Sequence, residues 1–275
     1  GIAWAEIWLQ KTTYPQAQSM EIFQPDQGSL HVTISDEMAK FNLNNLRDAS
    51  GNIDPAQLQI FQRLLISLQI DPALGINLGD WLDADISSAG YNSEDLGYEN
   101  KQAYYAKGYR TANRPMAHSS ELMLVKGFSP ELYKRLQPSI TALPNKTGIN
   151  INSASAKLLE VLIPGIDGIR MVAHRERAEG SPFLEVDSFL QHQLSAGLEI
   201  AADMLTTTSQ YYRVTSEAGY RNQASNWQAL LFRSEDLSNG KQSGWHIQRK
   251  WQQRLPFWVT QASVSNELEA TDKGL

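Results

Sequence analysis

Tyr211-Tyr-Arg-Val-Thr-Ser216, Trp227-Gln-Ala-Leu-Leu-Phe232 and Trp245-His-Ile-Gln-Arg-Lys-Trp251 decide the fold. Each is a short run rich in aromatic and branched side chains, and turn-rich stretches, Glu217 to Asn226 and Ser234 to Gly244, separate them. That layout predicts three strands of an antiparallel meander. Far upstream, Ser29-Leu-His-Val-Thr-Ile34 alternates apolar and polar residues with period two, the pattern of a half-buried strand. The two ends of the chain thus supply one small sheet. Between them the period changes to that of helices. Asp54-Pro55 combines a capping side chain with proline at the first helical position, and Leu58, Phe61, Leu64, Leu65 and Leu68 then share one face. Ser119, Ser129-Pro130 and Ser153 are expected to start further helices. The predicted class is α+β: residues 1–46 and 206–258 form the sheet domain, residues 47–205 an all-α insertion, and residues 259–275 a mobile tail.

Composition narrows the function. The 275 residues are 41% hydrophobic and 20% charged, which describes a folded globular chain. No cysteine is present, so disulfide scaffolding, thiol catalysis and thiolate metal sites are excluded. Nothing approaches the roughly 18–20 apolar residues of a membrane span, and Gly1-Ile-Ala-Trp-Ala-Glu lacks the layout of a signal peptide. A formal charge of -6 and a pI near 5.4 argue against a general nucleic-acid binder.

The acidity is local. Residues 36–100 hold eleven acidic side chains against three basic ones, which sets that segment at -8. Such an excess repels itself unless solvent, salt or a bound cation offsets it. Within it, Gly79-Asp-Trp-Leu-Asp-Ala-Asp-Ile86 spaces Asp80, Asp83 and Asp85 so that the first two project from one side of a helical turn. The stretch Ser87 to Asn100 adds Glu94, Asp95, Glu99 and the Asn100 carbonyl. These are the oxygen donors that calcium takes six to eight of, and the histidine or cysteine that zinc prefers is missing. A solvated acidic loop, or a carboxylate pair for hydrolytic acid/base chemistry with Trp81 against a sugar, would use the same residues.

Glu121 to Leu136 and Leu158 to Val172 each place a helix, a glycine turn and another helix. Asn150 to Ile166, continued by Arg175, Gly180 and Phe183, resembles the helix-hairpin-helix of DNA-binding competence and repair proteins, in which turn amides hold a phosphate. Asp167 stands where those proteins have glycine, and its charge opposes a phosphate. A hairpin used for packing is the plainer reading. His174 and His192 show no partner spacing, and no phosphate-binding glycine loop or nucleophile turn is present.

Taken in order, Asp36 to Leu46 with Phe41-Asn-Leu-Asn-Asn-Leu46, Asp80-Trp-Leu-Asp-Ala-Asp85, Tyr109-Arg-Thr-Ala-Asn-Arg-Pro-Met116, Ser120-Glu-Leu-Met-Leu-Val-Lys-Gly127 and Ile149-Asn-Ile-Asn-Ser-Ala154 resemble the K-type minor pseudopilins of the type II secretion system. The resemblance runs over roughly residues 22–255. It implies a pilin-like domain with a small antiparallel sheet, carrying a large helical insertion, and a non-enzymatic role at the tip of the periplasmic pseudopilus. There the family joins the I-type and J-type minor pseudopilins and helps start assembly; the helical insertion is expected to enlarge the tip and contact exported protein. It implies an N-terminal apolar helix in the inner membrane; residues 1–21 match poorly, so the chain is expected to begin after that segment. It also implies calcium at Asp80, Asp83 and Asp85. A later family element has two matches, Ser93-Glu94-Asp95 and Tyr98-Glu99-Asn100; the second keeps the better spacing to Tyr109 but replaces an aspartate with asparagine. The alternative reading is a helix-hairpin-helix nucleic-acid module.

Overall fold

Asp36 and Tyr212 face each other across two antiparallel strands, although 175 residues of chain separate them. A computed structural model describes residues 1–11, 18–24, 28–84, 111–176, 183–220, 223–234 and 244–253. The chain divides into two compact units, Gly1–Asp36 with Gln210–Leu275, and Glu37–Ser209.

The first unit holds helix α1 (Ile2–Lys11) and strands β1 (Gln18–Gln24), β2 (Gly28–Asp36), β3 (Tyr211–Tyr220), β4 (Gln223–Ser234) and β5 (Gly244–Gln253). The sheet order follows the chain order, β1 to β5, and every pairing is antiparallel. The four anticipated strands are all present and pair as a meander. Alternation does the work here: Val32, Ile34, Tyr212, Val214, Ala229, Leu231 and Trp245 point to one side, where Ala5 and Leu9 of α1 complete the core. Trp245 meets Tyr212 edge-on at 5.2 Å. Neither α1 nor β1 was anticipated. Among the described residues no helix is long and apolar enough to cross a membrane.

The second unit contains α2 (Pro55–Ser67), α3 (Leu74–Leu82), α4 (Pro130–Leu136), α5 (Ala156–Leu162), α6 (Gly168–Arg175) and α7 (Val186–Leu190). Asp54 caps α2 as expected, accepting the Ala56 and Gln57 amides at 3.1 and 3.2 Å. The face that α2 buries is centred on Ile60, Phe61, Leu64 and Leu65, while Leu58 and Leu68 are only partly covered. Ser129 caps α4 through the Leu132 amide. Two expected starts are corrected. Ser119 opens a 3-10 turn capped by His118, not an α-helix. Ser155, not Ser153, caps α5, because Ser153 lies in a turn closed by the Ala154 amide on the Asn150 carbonyl.

The boundaries also move. The expected divisions after residue 46 and before residue 206 fall instead at Asp36/Glu37 and Ser209/Gln210. Phe41, Leu43 and Leu46 are buried in the unit of the helices, and Phe41–Asn42 runs parallel to Ile140–Thr141 there. Similarly, Leu205–Thr206 pairs with Ile149–Asn150. An insertion spliced between paired strand ends leaves their register undisturbed. The expected tail, 259–275, lies outside the described residues.

Candidate metal centre

Helix α3 ends at Asp83, whose extended backbone (φ -61, ψ 170) stops the helix while its N–H donates to the Gly79 carbonyl at 3.0 Å. Gly79 permits the helix to lie close on Ile53, since a Cβ there would stand 3.1 Å from the Ile53 side chain. The next residue, Ala84, donates to the Gly51 carbonyl at 2.9 Å. Asp80 and Asp83 are therefore fixed three positions apart at the end of a short helix, and both are almost wholly buried, 3% and 4% exposed. Trp81, between them, is buried in the core at 2% and does not offer a face to a sugar.

The far side of the acidic segment returns to the same place. Asn113 donates its N–H to the Trp81 carbonyl at 3.1 Å, and Arg47 Nη1 donates to the carbonyls of Leu82 and Asn113 at 3.0 and 3.2 Å. Arg47 is one of three basic residues in the acidic stretch, and sequence reasoning passed over it.

The Asn-Leu-Asn-Asn motif builds the frame beneath. Asn44 gives Nδ2 to the Met116 and Leu143 carbonyls at 2.9 and 2.8 Å and accepts the Met116 N–H at 2.7 Å. Asn42 accepts the Leu143 N–H, and Asn45 both donates to and accepts from the Thr147 backbone. Asn152, in the Asn-Ile-Asn motif, links the Phe183 backbone to the Thr207 carbonyl in the same manner. Buried amides satisfy backbone groups that no ladder reaches.

Two almost wholly buried carboxylates supply oxygen donors of the kind that suits a hard divalent cation. The described residues thus fit calcium. They do not by themselves complete a site, because no group of three or more potential ligands occurs among them. Asp85, Glu94, Asp95, Glu99 and Asn100 lie outside the described residues.

The hairpin between α5 and α6 reverses at Gly165, with φ +92, and closes at Gly168, where a Cβ would stand 2.3 Å from the Ala156 carbonyl oxygen. Asp167 caps α6, accepting the Arg170 N–H at 2.9 Å. Its carboxylate occupies the helix N-terminus that a phosphate would need. His174 and His192, unrelated by spacing, are brought into contact.

Residues 39–145 match the family described as type II secretion system (T2SS), protein K. The type II secretion system protein K of Pseudomonas aeruginosa is 33% identical over 218 residues, covering 77% of this chain and 63% of that protein. The Klebsiella pneumoniae protein K is 35% identical over 161 residues, covering 54% and 48%. The chain therefore spans about half to two-thirds of these relatives. In fold it resembles a chain in the crystal structure of the GspK-GspI-GspJ complex from enterotoxigenic Escherichia coli, with a TM-score of 0.71 at 22% identity and 92% of both chains covered.

Proposed function

We propose that this chain, which belongs to the type II secretion system protein K family, is a structural minor pseudopilin at the pseudopilus tip that helps to initiate assembly and protein export across the outer membrane. The observation that carries this reading is the similarity to protein K relatives, over a fold shared with a chain of the GspK-GspI-GspJ complex. In this reading the five-stranded sheet and α1 are the pilin-like part, which docks against I-type and J-type partners. The helical unit enlarges the tip and contacts exported protein, and its α5–α6 hairpin is a helix-hairpin-helix used for packing. Attachment to the inner membrane belongs to the family's apolar N-terminal helix, and the part described here works on the periplasmic side. No catalytic role is assigned. The nucleic-acid alternative finds no support among the related proteins named above.

Calcium is the cation we assign to the acidic corner. Asp80 and Asp83 would hold it from the helix end, with Asp85, Glu94, Asp95, Glu99 and the Asn100 carbonyl as further donors. The ion would supply positive charge to a crowded set of carboxylates and tie them to the α3 terminus.

The test is assembly. Mixed with I-type and J-type minor pseudopilins, the chain is expected to form a 1:1:1 complex by light scattering. A folded chain that stays monomeric with cognate partners would overturn the reading.

A further inference from the structure

His174 on α6 and His192 in the turn after α7 lie side by side, their ring centroids 4.4 Å apart and tilted by 43°. Phe183 packs against both, at 6.1 and 5.7 Å, and meets the buried Phe189 edge-on at 5.2 Å. His192 Nδ1 accepts the Leu194 N–H at 3.3 Å, so neutral His192 carries its proton on Nε2. The His192 carbonyl accepts from the Ser195 and Ala196 amides at 2.9 and 2.8 Å and from the Ser195 hydroxyl at 3.1 Å. One residue thus holds the turn by both its ring and its backbone.

We propose that this histidine pair is an acid-sensitive latch, in which protonation of His192 loosens the turn at residues 192–196 from its packing on Phe183 and α6. The chemistry is direct. A proton on Nδ1 converts the acceptor of the Leu194 N–H into a second donor facing it. The charge also arises beside the neighbouring His174 imidazole, which disfavours it. Burial, and then the neighbouring His174, hold His192 below the ordinary value of 6.5. The cations of α6 are engaged elsewhere: Arg175 donates to the Ile151 carbonyl at 2.7 Å, and Arg170 lies 3.9 Å from Asp167. Glu176 follows Arg175 at the end of α6, α7 brings Glu185 and Asp187, and Glu199 follows the turn.

The sign is fixed by the lowered value. Below about 6.5 the unfolded chain takes up a proton at His192 that the folded turn resists, so stability falls as pH drops from the ordinary value towards the folded one.

An NMR titration of the intact chain tests this. His192 is expected to titrate below 6.5 and to move up towards it in His174→Gln. Hydrogen exchange at Leu194 and Ser195, corrected for intrinsic rates, should quicken several-fold between about pH 7.5 and about pH 5.5. His192→Asn, which retains a side-chain acceptor, should remove that pH dependence while leaving the circular dichroism unchanged. An ordinary titration of His192, its indifference to His174→Gln, or an undiminished pH dependence in a folded His192→Asn chain would each overturn the latch.

Discussion

Asn113 donates its backbone N–H to the carbonyl of Trp81, and Arg47 ties the next carbonyl, Leu82, to that of Asn113. The chain leaving α3 and the chain arriving at Thr111 are therefore fastened together at the corner that carries Asp80 and Asp83. Whatever the intervening carboxylates bind, their two anchor points cannot drift apart. Replacing Arg47 with methionine keeps most of the apolar stem and deletes both hydrogen bonds. A charged donor lost from two carbonyls is expected to cost about 2 kcal/mol, read as a lower urea midpoint. The calcium response of the melting curve should weaken in the same variant.

Calcium binding makes a prediction whose sign changes with conditions. Saturating calcium should raise the melting temperature of the wild type, equivalent to about 2.7 kcal/mol at a hundred times the dissociation constant. Asp83→Asn should lose most of that rise. In chelator the order should reverse or close up, because the variant no longer buries two carboxylates three residues apart. Differential scanning calorimetry of both proteins, with calcium and with chelator, measures the crossing. A wild type indifferent to chelator would sink the calcium assignment while leaving the pseudopilin reading intact.

The sheet could be read from the residues because its strands bury one face, and burial of one face forces alternation. Helix α1 could not. Ile2, Trp4, Ala5, Ile7, Trp8 and Leu9 surround the helix with apolar groups; Ala5 and Leu9 are buried, whereas Ile7 is 52% exposed, so no polar stripe marks its period. Residues 37–46 were assigned to the wrong unit for a related reason: Phe41, Leu43 and Leu46 have an apolar pattern that does not name the core they enter. At the candidate site, the spacing of Asp80 and Asp83 was legible because a helical turn dictates it. Arg47 was not, since its partners are backbone carbonyls assembled only by tertiary structure. The histidine pair escaped likewise, its two rings being joined by packing and not by sequence.

The buried asparagines make the frame specific in a way that packing alone would not. Asn44→Ala leaves the Met116 N–H and the Leu143 carbonyl buried without their side-chain partner. Each such group costs about 1–3 kcal/mol, so a loss of about 3 kcal/mol or more is expected. Asn44→Asp retains the acceptor for Met116 N–H but turns a carboxylate oxygen towards the Met116 and Leu143 carbonyls, and should be no better tolerated at neutral pH. Guanidinium unfolding of the two variants, compared with wild type, checks the size of the effect.

Asp54 supplies the acid-range test. Burial pushes its carboxyl up, but hydrogen bonds from Lys146 and from the Gln57 and Ala56 amides more than offset that, leaving it below 3.8. A carboxyl lowered on folding contributes stability that is complete above the unfolded value and is lost as pH falls through the folded one. The Lys146 pair, at 2.9 Å and with a half-exposed lysine, is worth no more than about 1 kcal/mol. The capping bonds contribute separately. Asp54→Asn should keep the cap and lose only the charge, so its deficit at neutral pH should be under about 1 kcal/mol and should shrink as pH falls through the folded value. Asp54→Ala loses the cap as well and should remain about 1 kcal/mol below Asp54→Asn at neutral and at acid pH, as measured by urea denaturation. Equal deficits for the two variants would mean that the Lys146 pair, and not the cap, holds the start of α2.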